Sequence, residues 1–203
     1  MREYYLQQLG ITSWVLRDVS QKLPSLELLA SDVSKCTRCS LHETRTQTVF
    51  ARGNSAARLM IVGEAPGLQE DKQGLPFVGK AGELLNSMLQ SIGLTNNDVY
   101  IANVLKCSPR KNRDLQASEI QHCSSYIEQQ IEYVNPSLII AVGQFAAHFL
   151  LDTTMSLSNM RNRIHQYNNI QVLVTYDPAY LLRNPSDKKH AYQDWLNVLN
   201  ILS

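Results

Sequence analysis

Four short apolar, β-branched runs constrain this chain more than any other feature: Leu59 to Val62, Val99 to Leu105, Leu138 to Val142 and Ile170 to Thr175. Each has the length of a strand and is too uniformly apolar to keep one face in water, which predicts strands covered on both sides. Helical patterns separate them. Leu84, Leu85, Met88, Leu89 and Ile92 recur at helical spacing, with Gly93 as the stop. Ser118 is the expected cap of a helix carrying Ile120, Cys123, Ile127, Ile131 and Val134, ended by Asn135-Pro136. A third helix is expected from Gly143 towards Leu151. The last, from Asp187 to Ile201, has Tyr192, Trp195, Leu196 and Leu199 as its apolar stripe. This alternation predicts a three-layer α/β/α fold around a mostly parallel four-stranded sheet.

A length of 203 residues with 44% hydrophobic content suits one such domain. Residues 1–24 stand outside the rhythm and read as an N-terminal extension to a domain spanning 25–203. Ser25 to Val33 again looks helical. No run approaches the roughly 18 apolar residues of a membrane span. A cytoplasmic protein without a membrane partner, monomeric on its own, is expected. The 19 basic and 18 acidic residues leave a net charge of +1, so a nucleic-acid partner would have to be met by a local basic patch.

Five of the nine glycines fall between Gly63 and Gly82, directly after the first expected strand. Sheets of this kind bind ligands outside the carboxyl ends of their strands, where glycines let backbone amides approach. A tight-turned connection is the plain alternative. The segment lacks the Gly-Lys-Ser/Thr ending of a phosphate-binding loop, and Gly63-x-x-x-Gly67 is not the dinucleotide fingerprint. Phe77 inside it is suited either to the core or to stacking on a planar base. Lys106, Arg110, Lys111 and Arg113 put four positive charges into eight residues, a phosphate-facing edge or a solvated loop. Asn103, at the end of the second run, offers a paired donor and acceptor to a base edge.

The chain has 4 cysteines: Cys36-x-x-Cys39, Cys107 and Cys123. Cytosolic thiols stay reduced, so these read as a metal site, a redox site or buried small residues. Only the first pair is compact. An iron–sulfur cluster tolerates that spacing better than a structural zinc module does, and zinc and unligated thiols remain alternatives.

In sequence order, Gly63-Glu64-Ala65-Pro66-Gly67, Glu70-Asp71, Gly74, Pro76-Phe77-Val78-Gly79-Lys80-Ala81-Gly82, Asn103-Val104-Leu105-Lys106-Cys107, Asn112-Arg113, Glu119, Cys123 and Pro178-Ala179-Tyr180-Leu181-Leu182-Arg183 resemble family 4 uracil-DNA glycosylases. The resemblance runs from Cys36 to the C-terminus. It implies a uracil-DNA glycosylase-like fold and a bacterial DNA-repair enzyme that flips uracil out of single- or double-stranded DNA. Hydrolysis of the N-glycosidic bond would then leave an abasic site. By that resemblance Glu64 orients the attacking water and Ala65 contacts the base through its backbone. Glu70 supports the pocket mouth, Phe77 stacks on uracil and Asn103 reads its edge. Cys36, Cys39, Cys107 and Cys123 would hold one structural [4Fe-4S] cluster. Lys106, Arg110, Lys111, Asn112, Arg113 and Arg183 would face DNA.

One departure stands out. Members of the family generally carry His-Pro-Ser/Ala after the last strand, where the His stabilises the departing base; this chain has Asp177-Pro178-Ala179. An anion beside developing negative charge has the wrong sign, so weakened or lost activity is expected from Asp177. Tyr5 to Arg17 also resembles the N-terminal peptide of the DNA polymerase III psi subunit, which implies clamp-loader binding through Leu9, Ile11 and Trp14. Two readings follow: a glycosylase, or a glycosylase-derived, psi-like adaptor in the clamp loader. The presence of Glu64, Phe77 and Asn103 together favours the enzyme.

Overall fold

The structure is a computed structural model that describes residues 25–109 and 115–202. Its centre is a six-stranded sheet. The strands are β1 (Arg52–Gly53), β2 (Leu59–Gly63), β3 (Val99–Asn103), β4 (Leu138–Val142), β5 (His165–Tyr167) and β6 (Ile170–Thr175), in the order β1-β3-β2-β4-β6-β5. The four apolar runs form the parallel centre, β3-β2-β4-β6. The expected four-stranded sheet gains two antiparallel edges, β1 on β3 and β5 on β6. Both edges are only two or three residues long and have exposed or half-exposed side chains, so they carry no apolar signal.

Around the sheet lie α1 (Leu26–Ser34), α2 (Leu68–Gln73), α3 (Lys80–Ser91), α4 (Ala117–Val134), α5 (Gln144–Leu151), α6 (Leu157–Met160), α7 (Pro178–Arg183) and α8 (Lys188–Leu202). The strand residues alternate strictly between two cores, as the pleat requires. Met60, Val62, Ala102, Ile139, Ala141 and Val174 pack against Ile127 and Ile131 of α4 and Ala146 and Leu150 of α5. Leu59, Ile61, Ile101, Ile140 and Leu173 pack against Leu85 and Leu89 of α3 and Trp195 and Val198 of α8. These are the three layers expected.

Two helix details differ from the sequence reading. The cap of α4 is Gln116, in a reciprocal box with Glu119, rather than Ser118; the side chain of Gln116 supplies the acceptor that a shorter residue normally would. On α8 the buried stripe is Ala191, Asp194, Trp195 and Val198, while Tyr192 and Leu199 are exposed. A buried aspartate hides this stripe from a purely apolar pattern. Ser25 caps α1 by accepting from the Leu28 N–H at 3.3 Å.

The strand order places the chain's change of direction at β2. From there it moves out to β3 and returns past β2 to β4. In doubly wound sheets the crevice at the carboxyl ends beside such a point is the ligand site. A third, smaller core of Leu29, Val33, Leu41, Leu105, Cys107, Cys123 and Tyr126 lies outside these layers and ties α1 to α4.

Candidate active site

A pocket opens at that carboxyl edge, lined by Glu64, Ala65, Gly67, Glu70, Phe77, Ala81, Asn103, Asp177 and Ala179. It brings together six residues singled out in the sequence, Glu64, Ala65, Glu70, Phe77, Asn103 and Asp177, from the ends of three strands, the helix α2 and one loop. Its volume is about 230 Å³.

The wall at Phe77 depends on two missing side chains. A β-carbon on Gly63 would stand 2.4 Å from Asn103 Oδ1 and 2.7 Å from Phe77 Cζ; one on Gly82 would overlap the Phe77 carbonyl. Phe77 itself adopts φ 53°, a left-handed conformation that a bulky residue takes only when its surroundings impose it. Glu70 supplies part of that imposition. Its Oε1 accepts from the N–H groups of Val78 at 3.1 Å and Gly79 at 3.3 Å, stapling α2 to the Phe77 loop. Glu70 therefore acts on the pocket by holding backbone.

Asn103 forms the floor. It is buried, and its Oδ1 has no hydrogen-bond partner among the described residues. A buried amide oxygen left open is costly in a folded protein unless something else arrives to donate to it.

Two carboxyls share the opening. Asp177 caps α7, its Oδ1 accepting from Ala179 N–H at 2.7 Å and Tyr180 N–H at 3.1 Å. Burial raises its pKa, against those two bonds and the charge of Arg183. Glu64 is also raised, by the protein packed around it and then by the negative charge of Asp177.

The segment bearing Asp177 is braced from behind by residues the sequence did not reveal. Arg161 pairs with Asp194 through Nε at 2.8 Å and Nη2 at 2.9 Å, and its Nη1 donates to the Tyr176 hydroxyl at 2.9 Å. Thr175 Oγ1 donates to the same carboxylate at 2.7 Å. Tyr176 stacks on Tyr180 with centroids 5.4 Å apart. Arg161 lies in no recognisable motif, and nothing local marks it; its partners come from β6 and α8.

The four cysteines converge on a separate, largely enclosed pocket, together with Arg45, Lys106 and Tyr126. Cys107 Sγ accepts from Arg45 Nη1 at 3.2 Å, and Cys123 Sγ from the Lys106 N–H at 3.3 Å. Burial pushes the Cys39 and Cys107 thiols up and Cys123 to about 11. N–H donors aimed at sulfur suit thiolates, which a bound metal would restore by displacing the protons. Among the described residues no group of three or more His, Cys, Asp or Glu is arranged to hold a metal ion.

One DNA-facing expectation is overturned. Lys106 is 1% exposed and sits inside the protein, its Nζ bonded to the Asn103 carbonyl and Gln130. It lies three residues beyond the buried β3, between Leu105 and Cys107, and that apolar setting is the available signal. Arg183 is exposed at the end of α7. Arg110, Lys111, Asn112 and Arg113 lie outside the described residues, as do Leu9, Ile11 and Trp14. Among the described residues no helix is long and apolar enough to cross a membrane.

The doubly wound sheet, with its aromatic wall, amide floor and paired carboxyls at the switch point, defines an α/β domain built to hold a flat, polar-edged ligand. The sequence model described as the uracil DNA glycosylase superfamily matches residues 50–199. The chain is 42% identical over 165 residues to the type-4 uracil-DNA glycosylase of Thermotoga maritima, spanning 80% of this chain and 86% of that protein. It is 40% identical over 190 residues to the type-4 enzyme of Saccharolobus solfataricus (89% and 88%) and 37% over 184 residues to that of Archaeoglobus fulgidus (87% and 92%). The chain belongs to the uracil DNA glycosylase superfamily.

Proposed function

We propose that this protein is a DNA repair glycosylase that flips uracil out of DNA and hydrolyses its N-glycosidic bond, leaving an abasic site. The carrying observation is the buried, open Oδ1 of Asn103 in the pocket that Phe77 also lines. Uracil presents an N3–H donor to such an oxygen; cytosine presents a lone pair there and is repelled. Flipping costs a few kcal/mol, which stacking on Phe77 and this edge contact offset.

Bond breaking leaves a uracil anion and an oxocarbenium-like sugar. Glu64, at the pocket mouth, orients the water that attacks the sugar, and the Ala65 backbone contacts the base. Asp177 occupies the place from which a donor should meet the departing base. Ionised, it opposes that charge; protonated, it donates to it. The position of Asp177 is what favours the second reading, a catalytically weak glycosylase-fold adaptor bound to clamp-loader subunits through Leu9, Ile11 and Trp14 in an extension spanning 1–24. The domain from 25 onwards then serves as scaffold.

Cys36, Cys39, Cys107 and Cys123 would hold one [4Fe-4S] cluster. All four thiols line one pocket, as the ligands of a single cluster must. When bound it would supply cross-linking between α1, α4 and the loop after β3. Arg110, Lys111, Asn112, Arg113 and Arg183 then contact DNA phosphates.

Incubation with uracil-containing single- and double-stranded oligonucleotides tests the function. Alkali-labile sites at uracil, strongly reduced but measurable in Asn103→Ala, are the expected result. No cleavage by either the wild type or Asp177→His would leave the adaptor reading standing.

A further inference from the structure

Lys106 is among the largest fully buried side chains of the protein, at 1% exposure. Its Nζ donates to the backbone carbonyl of Asn103 and to Gln130 Oε1, each at 2.5 Å. Gln130, also buried, is fixed in turn by donating Nε2 to the Tyr100 hydroxyl at 2.9 Å and the Phe50 carbonyl at 3.2 Å. The main chain of Lys106 is held at both ends: its N–H donates to Cys123 Sγ at 3.3 Å and its carbonyl accepts from Val49 N–H at 2.8 Å.

Enclosing a lysine head group costs several kcal/mol of lost hydration, and an apolar side chain of the same length fills such a space without that cost. Stability alone therefore gives a poor reason for a lysine here. The geometry gives a better one. Asn103 is the last residue of β3; the peptide that follows it is held on its N–H side by the Gly63 carbonyl, at 2.9 Å from Val104 N, and on its carbonyl side by Lys106. A carbonyl gripped from below fixes the peptide that follows, and with it the direction of the Asn103 side chain. That side chain ends in the open Oδ1 on the pocket floor.

We infer that Lys106, braced by Gln130, is a positioning residue for base recognition: it holds the Asn103 backbone so that the amide meets the edge of the flipped base. The inference rests on the reading of Asn103 as the base-reading residue, and its test separates the two. Lys106 does not line the pocket. Through its N–H on Cys123 it also connects the four-cysteine centre to the pocket floor.

A double-mutant cycle on the full-length protein tests it, with Asn103→Ala, Lys106→Met and the double variant. The readouts are kcat and KM on a uracil oligonucleotide and affinity for free uracil by calorimetry, with melting temperature followed in parallel. A 1 Å misplacement costs about 100-fold, so Lys106→Met should lose about 10- to 100-fold in kcat and bind free uracil more weakly. KM for the oligonucleotide should stay within about two-fold, since DNA contacts lie elsewhere. In the Asn103→Ala background Lys106→Met should cost nothing further. Losses that multiply, or a Lys106→Met variant with wild-type kcat and uracil affinity, would overturn the positioning role while leaving Asn103 as the reader. Full activity and uracil affinity in Asn103→Ala would remove the base-reading premise itself. If Lys106→Met does not fold, Gln130→Met replaces it in the cycle, with a smaller loss and the same non-additivity expected.

Discussion

A β-carbon on Gly63 would stand 2.7 Å from Phe77 Cζ, so the aromatic wall of the pocket exists only because β2 ends in a residue without a side chain. Asn103 Oδ1 would be closer still, at 2.4 Å. One added methyl thus collides with both groups that face the base. Neither neighbour moves freely: Phe77 is locked at φ 53° between Gly82 and the Glu70 staple, and Asn103 is buried. Gly63→Ala should therefore cost about 1–3 kcal/mol of stability, as overpacking does, and about 100-fold in uracil release through misplacement. Denaturant titration and an oligonucleotide cleavage assay read the two effects; wild-type cleavage would show that the ring and amide are free to shift.

Asp177→His should raise uracil release by about 10²–10³, the typical worth of one donor to a departing anion. The pH dependence of the wild type follows from the raised pKa values of Glu64 and Asp177. As pH climbs through them, the second proton leaves the pair, and two negative charges face the uracil anion. Release should be fastest on the acid side of neutrality and fall as pH rises; Asp177→His should move the maximum upward. A flat profile would show that Asp177 does not meet the base.

Stability carries the same signature. Asp177 titrates higher in the folded protein than at its ordinary value of 3.8, so its ionisation costs stability. That cost is absent below the unfolded pKa and complete above the folded one. Asp177→Asn keeps an oxygen to cap α7 and removes the charge. It should melt above the wild type at pH 7 and together with it at pH 3.

Removing Asp194 leaves the Arg161 guanidinium buried without its carboxylate. Asp194→Ala should lose about 3–5 kcal/mol by denaturant titration, the usual consequence of breaking a buried pair. Tyr176→Phe deletes only the hydroxyl bonded to Arg161 and should lose about 1 kcal/mol. Equal losses would mean that the network is not centred on the ion pair.

Protein purified anaerobically should be coloured and carry iron, as thiolate-bound clusters do. Chelation should lower its melting temperature, because metal affinity is folding free energy when the ligands come from separate segments. Cys107→Ser should lose iron and melt lower still. Stoichiometric zinc in a colourless protein would replace the cluster with a single-ion site.

Much of this architecture was written locally. Strands with no wet face announced themselves as uniform apolar runs, and glycines at 63 and 82 marked a tight loop. The edge strands Arg52–Gly53 and His165–Tyr167 were silent because they are short and half in solvent. The charge of Lys106 suggests surface, and only its apolar neighbours hint otherwise.

The sequence by itself determined the layered α/β domain, its family and the residue types at the pocket, since periodicity and motif are properties of neighbouring residues. The tertiary structure decided which groups meet: Asn103 and Phe77 across Gly63, Glu64 beside Asp177, Lys106 beneath Asn103, Arg161 against Asp194. Lys106 and Asn103 are three positions apart; the other contacts join residues from 14 to 113 positions apart along the chain. They depend on the strand order β3-β2-β4-β6 and on helices packing across it, which no local pattern encodes.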